Sequence, residues 1–397
     1  MKQIFLNIIL IVSGTVAAAN EPISLNAYIN EVGAENLTLK ANEATIEAAN
    51  AKSDGFKLPD PIIGYIQMQD KSGSASGFEV SQTIPFPTKL ASDHSARKIE
   101  AKTEIASAKS SKKDILAKAR LLYISVWAAQ EKVEFLKEKQ RAVREHLKLS
   151  TASARSDSSL RIHTLKAESD LDLIESDILE ADQLLKEQQI AFAEFANKDP
   201  ATYRPVVETP QVTEIPKMES LKAPSQLEVK RLNVERLNAR AFEAKSTWLP
   251  DLNVRYRDVG ATGLMPAIKE VMVGATVPFA FFWEPRAATK SAQAEKLRAE
   301  AEYSQEKIRV EAATYSLLTR AESLRKQLDL INSKLLPRAE KRMKLVHNLA
   351  PRDMESLDDH RQAMEEFPDL KLKALNLRMQ FESTVAELLR FVTEEQK

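Results

Sequence analysis

Cysteine is absent from the 397 residues, which excludes disulfide frameworks, thiolate metal sites, thiol nucleophiles and lipid anchors attached through cysteine. Glycine is scarce, with nine residues, where average composition would give about 7%. Because β-rich proteins and α/β enzymes need glycine at their many turns, this scarcity indicates long helices. Neither sign of charge is in excess, since 57 Lys and Arg are balanced by 57 Asp and Glu. This balance argues against a nucleic-acid-binding protein.

Motifs for catalysis and metal binding are also missing. The sequence has no phosphate-binding glycine loop and no G-x-S-x-G nucleophile turn. Its histidines show no HExxH-type or i,i+4 spacing suited to zinc. They are His94, His146, His163, His347 and His360. We therefore expect no enzyme activity, no cofactor and no metal site.

Long apolar runs are confined to the amino terminus, where residues 1–19 have the features of a signal peptide. Lys2 supplies the positive charge, Ile4–Val16 is mostly apolar, and Ala17–Ala19 supplies small residues for cleavage before Asn20. The apolar run is about 13 residues, shorter than the roughly 20 that span a bilayer as a helix. We predict export of a mature chain that either is soluble or enters a membrane as β-strands.

The remainder of the chain contains one unit twice. Leu58–Asp60 has the same sequence as Leu249–Asp251, and Thr83–Phe86 resembles Thr276–Phe279. The offsets between the copies are 191 and 193 residues. Nearly constant offsets of this kind indicate a tandem repeat.

The repeats are placed at about 20–198 and 225–397, with a join at 199–224. The join contains Pro200, Pro205, Pro210, Pro216 and Pro224. Prolines at this density cannot lie inside a helix or a central strand. We therefore predict an irregular linker between the repeats.

Long segments with a seven-residue repeat end each copy. Apolar residues alternate in steps of 4 and 3, a pattern typical of a coiled-coil seam rather than a general amphipathic face. The first seam contains Ile115, Ala119, Leu122, Val126, Ala129, Val133, Leu136, Gln140, Val143 and Leu147. Similar seams begin at Ala167, Val310 and Leu370.

Breaks between these seams predict two helical hairpins. The serine-rich break at about 150–159 would be the first tip, and the break at about 347–353, around Pro351, the second. A helix from Lys89 to Ser150 would be about 90 Å long, several times the width of a compact domain. We therefore expect an elongated helical body. Pro368 lies in the last helix and is expected to kink it or end a segment.

Two short alternating segments precede the helices of each copy, at about 61–70 and 77–85 and again at 251–259 and 269–278. Segments of about 8–10 residues can cross a bilayer as tilted strands. Four strands cannot close a membrane barrel, because the smallest have about 8. Several chains would then share one barrel. A small soluble sheet that caps the helices fits the same pattern, which leaves both possibilities open.

The order of signal peptide, doubled strand pair and doubled helical hairpin resembles the TolC family of outer-membrane efflux proteins over about Leu25 to Val392. Phe78–Lys89 is similar to the family's VSQPLPFPGK sequence at the exit from the barrel, and Gly274–Phe279 is its counterpart in the second copy. Leu335–Glu340 resembles the LLPxAE sequence that leads to the second tip. The resemblance implies a mainly α fold with a small β part, a tandem repeat of strand pair and coiled-coil hairpin that forms a trimeric β-barrel and α-barrel conduit.

The resemblance also implies a function. A homotrimer would share a twelve-stranded barrel in outer-membrane lipid and place its helical body in the periplasm. The chain would be a passive exit duct whose partners are a periplasmic adaptor and an inner-membrane pump, with no nucleic acid. The cargo is not implied, because relatives carry drugs, metal ions or proteins.

Two other functions share some of these features. A periplasmic adaptor also has a signal peptide and a coiled-coil hairpin, but only one hairpin, inserted in glycine-rich β domains. A non-conducting coiled-coil protein of the envelope would not need strands at equivalent points of both copies. The doubled hairpin and the nine glycines favour the duct.

Hairpin tips in this family face the adaptor and form the gate. First tips often contain R-x-x-x-G-L, and here the segment has Ser159 in place of the glycine. Second tips usually carry tyrosine and glycine where this chain has Val346 and Leu349, so the docking surface would be altered. The docking candidates are Arg155, Asp157, Ser159, Leu160, Asn348 and Leu349. A solvated turn residue is the simpler alternative for Arg155.

Acidic residues follow the second tip. Met354–Asp358 resembles an LDVLD run whose carboxylates line the narrow entrance in some relatives. Glu355 and Asp358 would share a helix face, and in a trimer they would form stacked carboxylate rings that favour cations. An exposed helix flank that also includes Asp359 is the alternative.

Aromatic residues cluster after the second strand pair, at Phe279, Phe281, Phe282 and Trp283. At a membrane interface they would form part of an aromatic belt. Core packing at the strand-to-helix junction is an equally weighted alternative.

Overall fold

The computed structural model describes residues 22–55, 57–156, 161–221, 225–276, 283–347 and 354–392. The helices are α1 (Leu25–Glu35), α2 (Leu37–Ser53), α3 (Pro87–Ser156), α4 (Arg161–Phe195), α5 (Ser225–Ser246), α6 (Trp283–Leu330), α7 (Leu336–His347) and α8 (Met354–Leu389). The strands are β1 (Ile62–Asp70), β2 (Gly73–Ile84), β3 (Leu252–Val259) and β4 (Ile268–Ala275). The mainly α fold with a small β part is confirmed. The predicted signal peptide lies outside the described residues.

Each half of the chain contains a strand pair followed by long helices. β1 and β2 precede α3 and α4, and β3 and β4 precede α6 to α8. A π-helical turn at Ile331–Leu335 separates α6 from α7, and within it the Leu336 N–H bonds the Ile331 carbonyl. This wider turn directly precedes Pro337, which has no N–H for the regular i→i−4 bond. The second hairpin therefore differs from the first in having an interrupted first helix.

The chain divides into two compact units. The first comprises the described residues up to Asn36, with Lys118–Glu214 and Glu322–Ala386. The second comprises Leu37–Ala117, Ile215–Ala321 and the described residues from Glu387 on. Helices α3, α6 and α8 contribute residues to both units.

The predicted seams form helix contacts within the first unit. Val133 and Leu136 of α3 pack with Ala181 of α4, and the three are at most 4% exposed. Partly buried residues pack against this cluster, namely Ile178, Leu185 and Leu372. The seams are narrow apolar stripes on otherwise polar helices. No helix among the described residues has an apolar stretch long enough to cross a membrane.

Aromatic side chains form a second cluster in the first unit. Tyr28 stacks on Phe192 with ring centroids 3.6 Å apart, and its hydroxyl donates to the Phe192 carbonyl at 3.0 Å. The hydroxyl of Tyr123 lies 2.8 Å from the carbonyl oxygens of Ile23 and Glu208. Burial raises the pKa of Tyr123 to about 12, so this hydroxyl stays protonated and donates to one of them.

The proline-rich join is fixed to the helices of the first unit by a buried carboxylate. Glu382 of α8 is 1% exposed and accepts hydrogen bonds from the Thr213 amide at 3.1 Å and the Thr213 hydroxyl at 2.5 Å. Arg378 lies 3.6 Å from Glu382 and also donates to the Pro210 carbonyl. Arg120 of α3 donates to the Thr213 hydroxyl oxygen at 2.9 Å. The segment around Thr213 is irregular in backbone, as its prolines predict, but side chains of α3 and α8 hold it.

α3 ends later than expected, and α8 is not ended by Pro368. α3 continues to Ser156 rather than breaking near 150. The hydroxyls of Ser150 and Thr151 donate to the Leu147 carbonyl at 3.0 and 2.7 Å, so these residues do not compete with the helical backbone. α8 continues through Pro368, which is buried inside the helix, so of the two expected effects, a kink or a segment end, the segment end does not occur.

Candidate functional site

The four strands form one antiparallel sheet in the order β1–β2–β3–β4. Its register aligns Ile63, Val80, Tyr256 and Val271 in a single row across the sheet. Residues directly opposite each other in neighbouring strands point to the same face. The register therefore assigns every strand side chain to one of two faces.

The face that carries this row is called the apolar face below. Its apolar members are Ile63, Tyr65, Phe78, Val80, Ile84, Leu252, Val254, Tyr256, Val271, Val273 and Ala275. Ile63 and Tyr65 are each 74% exposed, and Val271 is 67% exposed. A water-soluble sheet would cover such a face with its own helices. Among the described residues, the helices leave it largely exposed, contrary to the expectation for a soluble cap.

The opposite face, called the charged face below, carries a ladder of ion pairs across β2, β3 and β4. Glu79 lies 3.0 Å from Arg257 and 3.3 Å from Arg255. Arg257 also lies 3.2 Å from Glu270. These two arginines and two glutamates balance one another, which suits a surface in contact with water.

The sheet has two open edges. β1 and β4 are the outer strands and have no further strand partner among the described residues. Unpaired N–H and C=O groups in an apolar medium cost several kcal/mol each, so such edges must be paired. A sheet with an exposed apolar face, a charged opposite face and two open edges can form part of a wall between an apolar medium and water. Further strands would have to pair with β1 and β4 to complete this wall.

Gly77 of β2 lies against the backbone of β3, opposite Val259. A Cβ atom at this position would lie 2.0 Å from the Asp258 carbonyl oxygen. We expect Gly77→Ala to push the strands apart and to destabilise the sheet by about 1–3 kcal/mol or more. The recovery of folded protein from the cell envelope measures this loss. Gly64→Ala in β1 is the control, because its Cβ would meet nothing within 4 Å, and equal recovery of both variants would contradict the register.

The predicted docking tip is only partly described. Arg155 is exposed in the last turn of α3. The other candidates lie outside the described residues: Asp157, Ser159, Leu160, Asn348 and Leu349. The docking surface therefore stays a prediction.

The predicted acidic ring is also partly described. Glu355 belongs to the first turn of α8, but its side chain is outside the described part. The Asp358 carboxylate is 40% exposed and lies 3.3 Å from the Arg361 guanidinium. Arg361 in turn lies 3.1 Å from Glu365. Because Asp358 is paired along its own helix, a ring built from it would be less negative than its sequence indicates. The ring also remains a prediction.

The predicted aromatic belt falls on undescribed residues. Phe279, Phe281 and Phe282 lie outside the described ranges, and Trp283 begins α6 with its side chain undescribed. Neither the belt nor core packing is decided by the structure.

The structure brings together two histidines that stand 214 residues apart in the sequence, His146 of α3 and His360 of α8. Local spacing rules cannot detect such a contact. One signal was present, because His360 continues the seam of α8 backwards from Leu370 in steps of 3 and 4. Among the described residues, no three histidine or acidic side chains are grouped to hold a metal ion.

No family model and no curated protein matches the chain. Solved structures do match. The CmeC outer membrane channel of Campylobacter jejuni has a TM-score of 0.77 at 14% identity, over 92% of this chain and 85% of its own. VceC, an outer membrane protein of Vibrio cholerae, has a TM-score of 0.71 at 15% identity, over 94% and 97%. The MtrE outer membrane channel of Neisseria gonorrhoeae, solved in an open state, has a TM-score of 0.74 at 16% identity, over 92% and 88%.

These matches show the fold. The chain has the architecture of bacterial outer-membrane channels over nearly its whole length. The chain fold implied by the resemblance to the TolC family, mainly α with a tandem repeat of strand pair and helical hairpin, is therefore confirmed. At such low identity the function has to be argued from the chain's own residues.

Proposed function

We propose that this chain is the outer-membrane channel of a tripartite efflux system, a passive exit duct made by three copies. The observation that carries the proposal is the sheet with an exposed apolar face, a charged opposite face and two open edges. The apolar face would contact lipid, the charged face would line the aqueous lumen, and β1 of one copy would pair with β4 of the next.

Strand number supports three copies. Each chain supplies four strands, and a membrane barrel needs about 8 or more. Three copies give twelve, the number implied by the resemblance to the TolC family. Outer-membrane barrels have an apolar band outside and a polar interior, which the two faces of this sheet reproduce.

The remaining parts of the proposal follow from this placement. The helical body would extend into the periplasm, and its tips, with Arg155 among them, would meet an adaptor and an inner-membrane pump. No chemistry is assigned to the chain, because transport would be driven by the pump. The neighbours CmeC and MtrE are themselves outer membrane channels, which supports the placement.

Conductance in planar lipid bilayers tests this function. The purified full-length protein is expected to give discrete conductance steps. Glu79→Gln removes one carboxylate per chain from the charged face and should move the reversal potential towards anion selectivity. Asp258→Asn is the control, since Asp258 lies on the same face as Tyr256 and away from the lumen. Folded protein that never conducts, or an equal shift in both variants, would contradict the proposal.

A further inference from the structure

Three histidines are buried in the first unit. His146, His163 and His360 are at most 3% exposed. The Nδ1 atoms of His146 and His360 are 3.2 Å apart, and their rings are stacked with 20° between the planes. At this distance one nitrogen carries a proton and donates it to the lone pair of the other. The contact therefore requires at least one of the two rings to be neutral.

An added proton would be poorly accommodated at this contact. Burial above all, followed by His360, Arg361 and His163, lowers the pKa of His146 to about 4. Asp358 opposes this shift. The Nε2 atom of His146 is buried without a hydrogen-bond partner. A positive charge on His146 would therefore lack both water and sufficient compensation.

The contact is suited to a hydrogen bond between two histidines rather than to a metal ion. Zinc sites in proteins use three or four protein ligands, and no group of three ligating side chains occurs among the described residues. A hydrogen bond needs only two facing nitrogens, one of which carries a proton, and these are present in His146 and His360. Histidine is also the side chain that titrates nearest to neutral pH.

We propose that the His146–His360 contact is a proton-sensitive latch that holds α3 and α8 together at neutral pH and releases them in acid. His146 lies ten residues before the end of α3, and His360 lies six residues after the start of α8. The latch is therefore close to both predicted tips. The inference that this release widens the duct rests on the proposed function. The release of α3 from α8 does not rest on it.

The direction of the pH dependence follows from the two protonation states. A released, hydrated histidine has a pKa of about 6.5, whereas the latched His146 has a pKa of about 4. The latched state thus binds fewer protons between these values. The latched state is fully favoured above pH ~6.5. Below this pH, the latched-to-released equilibrium constant falls about tenfold per pH unit as the pH falls towards 4. From pH 7.5 to pH 5, the released-to-latched ratio should rise about 30-fold.

Spin labels can measure the release directly, because the chain has no cysteine of its own. Cysteines placed at the exposed Lys148 of α3 and the exposed Glu366 of α8 would carry the labels. Labelled full-length chain is diluted with unlabelled chain, so that the distance is measured within one chain. In the presence of a chelator, we expect a longer distance to gain population at pH 5 and to disappear again at pH 7.5.

The matched variants separate the latch from general acid effects. His146→Asn with His360→Asn removes both titrating groups and should abolish the pH response, and His146→Gln alone serves if the double variant does not fold. His94→Asn is the control, since His94 lies in the second unit and contacts the Gly55 carbonyl. It should leave the response unchanged. An unchanged distance at pH 5, or a response retained without His146 and His360, would overturn the latch.

Two further outcomes distinguish the latch from a metal site and from the proposed channel function. A distance change that appears only on addition of Zn²⁺ would assign the contact to a metal and overturn the proton assignment. In planar bilayers, acidification should raise the open probability of the wild-type protein but not of the double asparagine variant. A distance change without conductance at any pH would contradict the channel and leave the latch. Conductance without a pH-dependent distance change would overturn the latch and leave the channel.

Discussion

Replacing Ile63 with arginine is expected to abolish accumulation of the assembled protein in the outer membrane. Ile63 lies in the same row of the apolar face as Val80 and Val271 and is 74% exposed. Arginine on the lipid-facing side of a membrane strand costs about 2–4 kcal/mol near the midplane. Three copies would together lose about 6–12 kcal/mol. The measurement is the fraction of the chain recovered as detergent-extracted oligomer from the outer membrane.

Ile62→Arg is the matched control for this variant. Ile62 is the preceding residue of β1 and is 69% exposed, but it points to the charged face. Arginine there would meet water, so most of the oligomer should be recovered. Equal losses for Ile62→Arg and Ile63→Arg would contradict the assignment of one face to lipid. Equal recovery of both would contradict membrane insertion of the sheet.

Glu382→Ala is expected to lower the free energy of unfolding by about 3–5 kcal/mol, the usual cost of removing one partner from a buried charged network. Its carboxylate is 1% exposed. The change would leave the Thr213 amide and the Arg378 guanidinium without this acceptor. Denaturant unfolding of the detergent-solubilised protein, followed by circular dichroism, measures the loss.

Glu387→Ala tests whether this cost depends on burial. Glu387 is exposed in the same helix, so its removal should change the unfolding free energy by no more than about 0.5 kcal/mol. Glu382→Gln keeps an oxygen for Thr213, so its loss of unfolding free energy should lie between those of Glu382→Ala and Glu387→Ala. A loss below about 1 kcal/mol for Glu382→Ala would contradict its role in fixing the proline-rich join.

Periodic features were predictable from the sequence. The seven-residue spacing marked Val133, Leu136 and Ala181 as core, and all three are buried. The strand segments were found because side chains in a strand alternate with a period of two. The constant offset between the copies located both strand pairs. Each of these signals is local or repeated, so a single sequence contains it.

Contacts between distant parts of the chain were not predictable in this way. Glu382 and Thr213 are 169 residues apart, and His146 and His360 are 214 apart. Buried charge has no sequence pattern of its own, because an acidic residue in a helix is usually solvated. The alternation of a strand also does not say which face is covered. That distinction needed the register, which placed Ile63 and Val271 in one exposed row.

The most direct test of the outer-membrane trimer is the mass of the mature protein together with its need for detergent. The envelope is fractionated, the outer membrane is extracted, and the mass is determined by light scattering corrected for bound detergent. We predict three chains per particle and no release into aqueous buffer. A monomer or dimer that leaves the periplasm without detergent would contradict the shared barrel and, with it, the proposed duct.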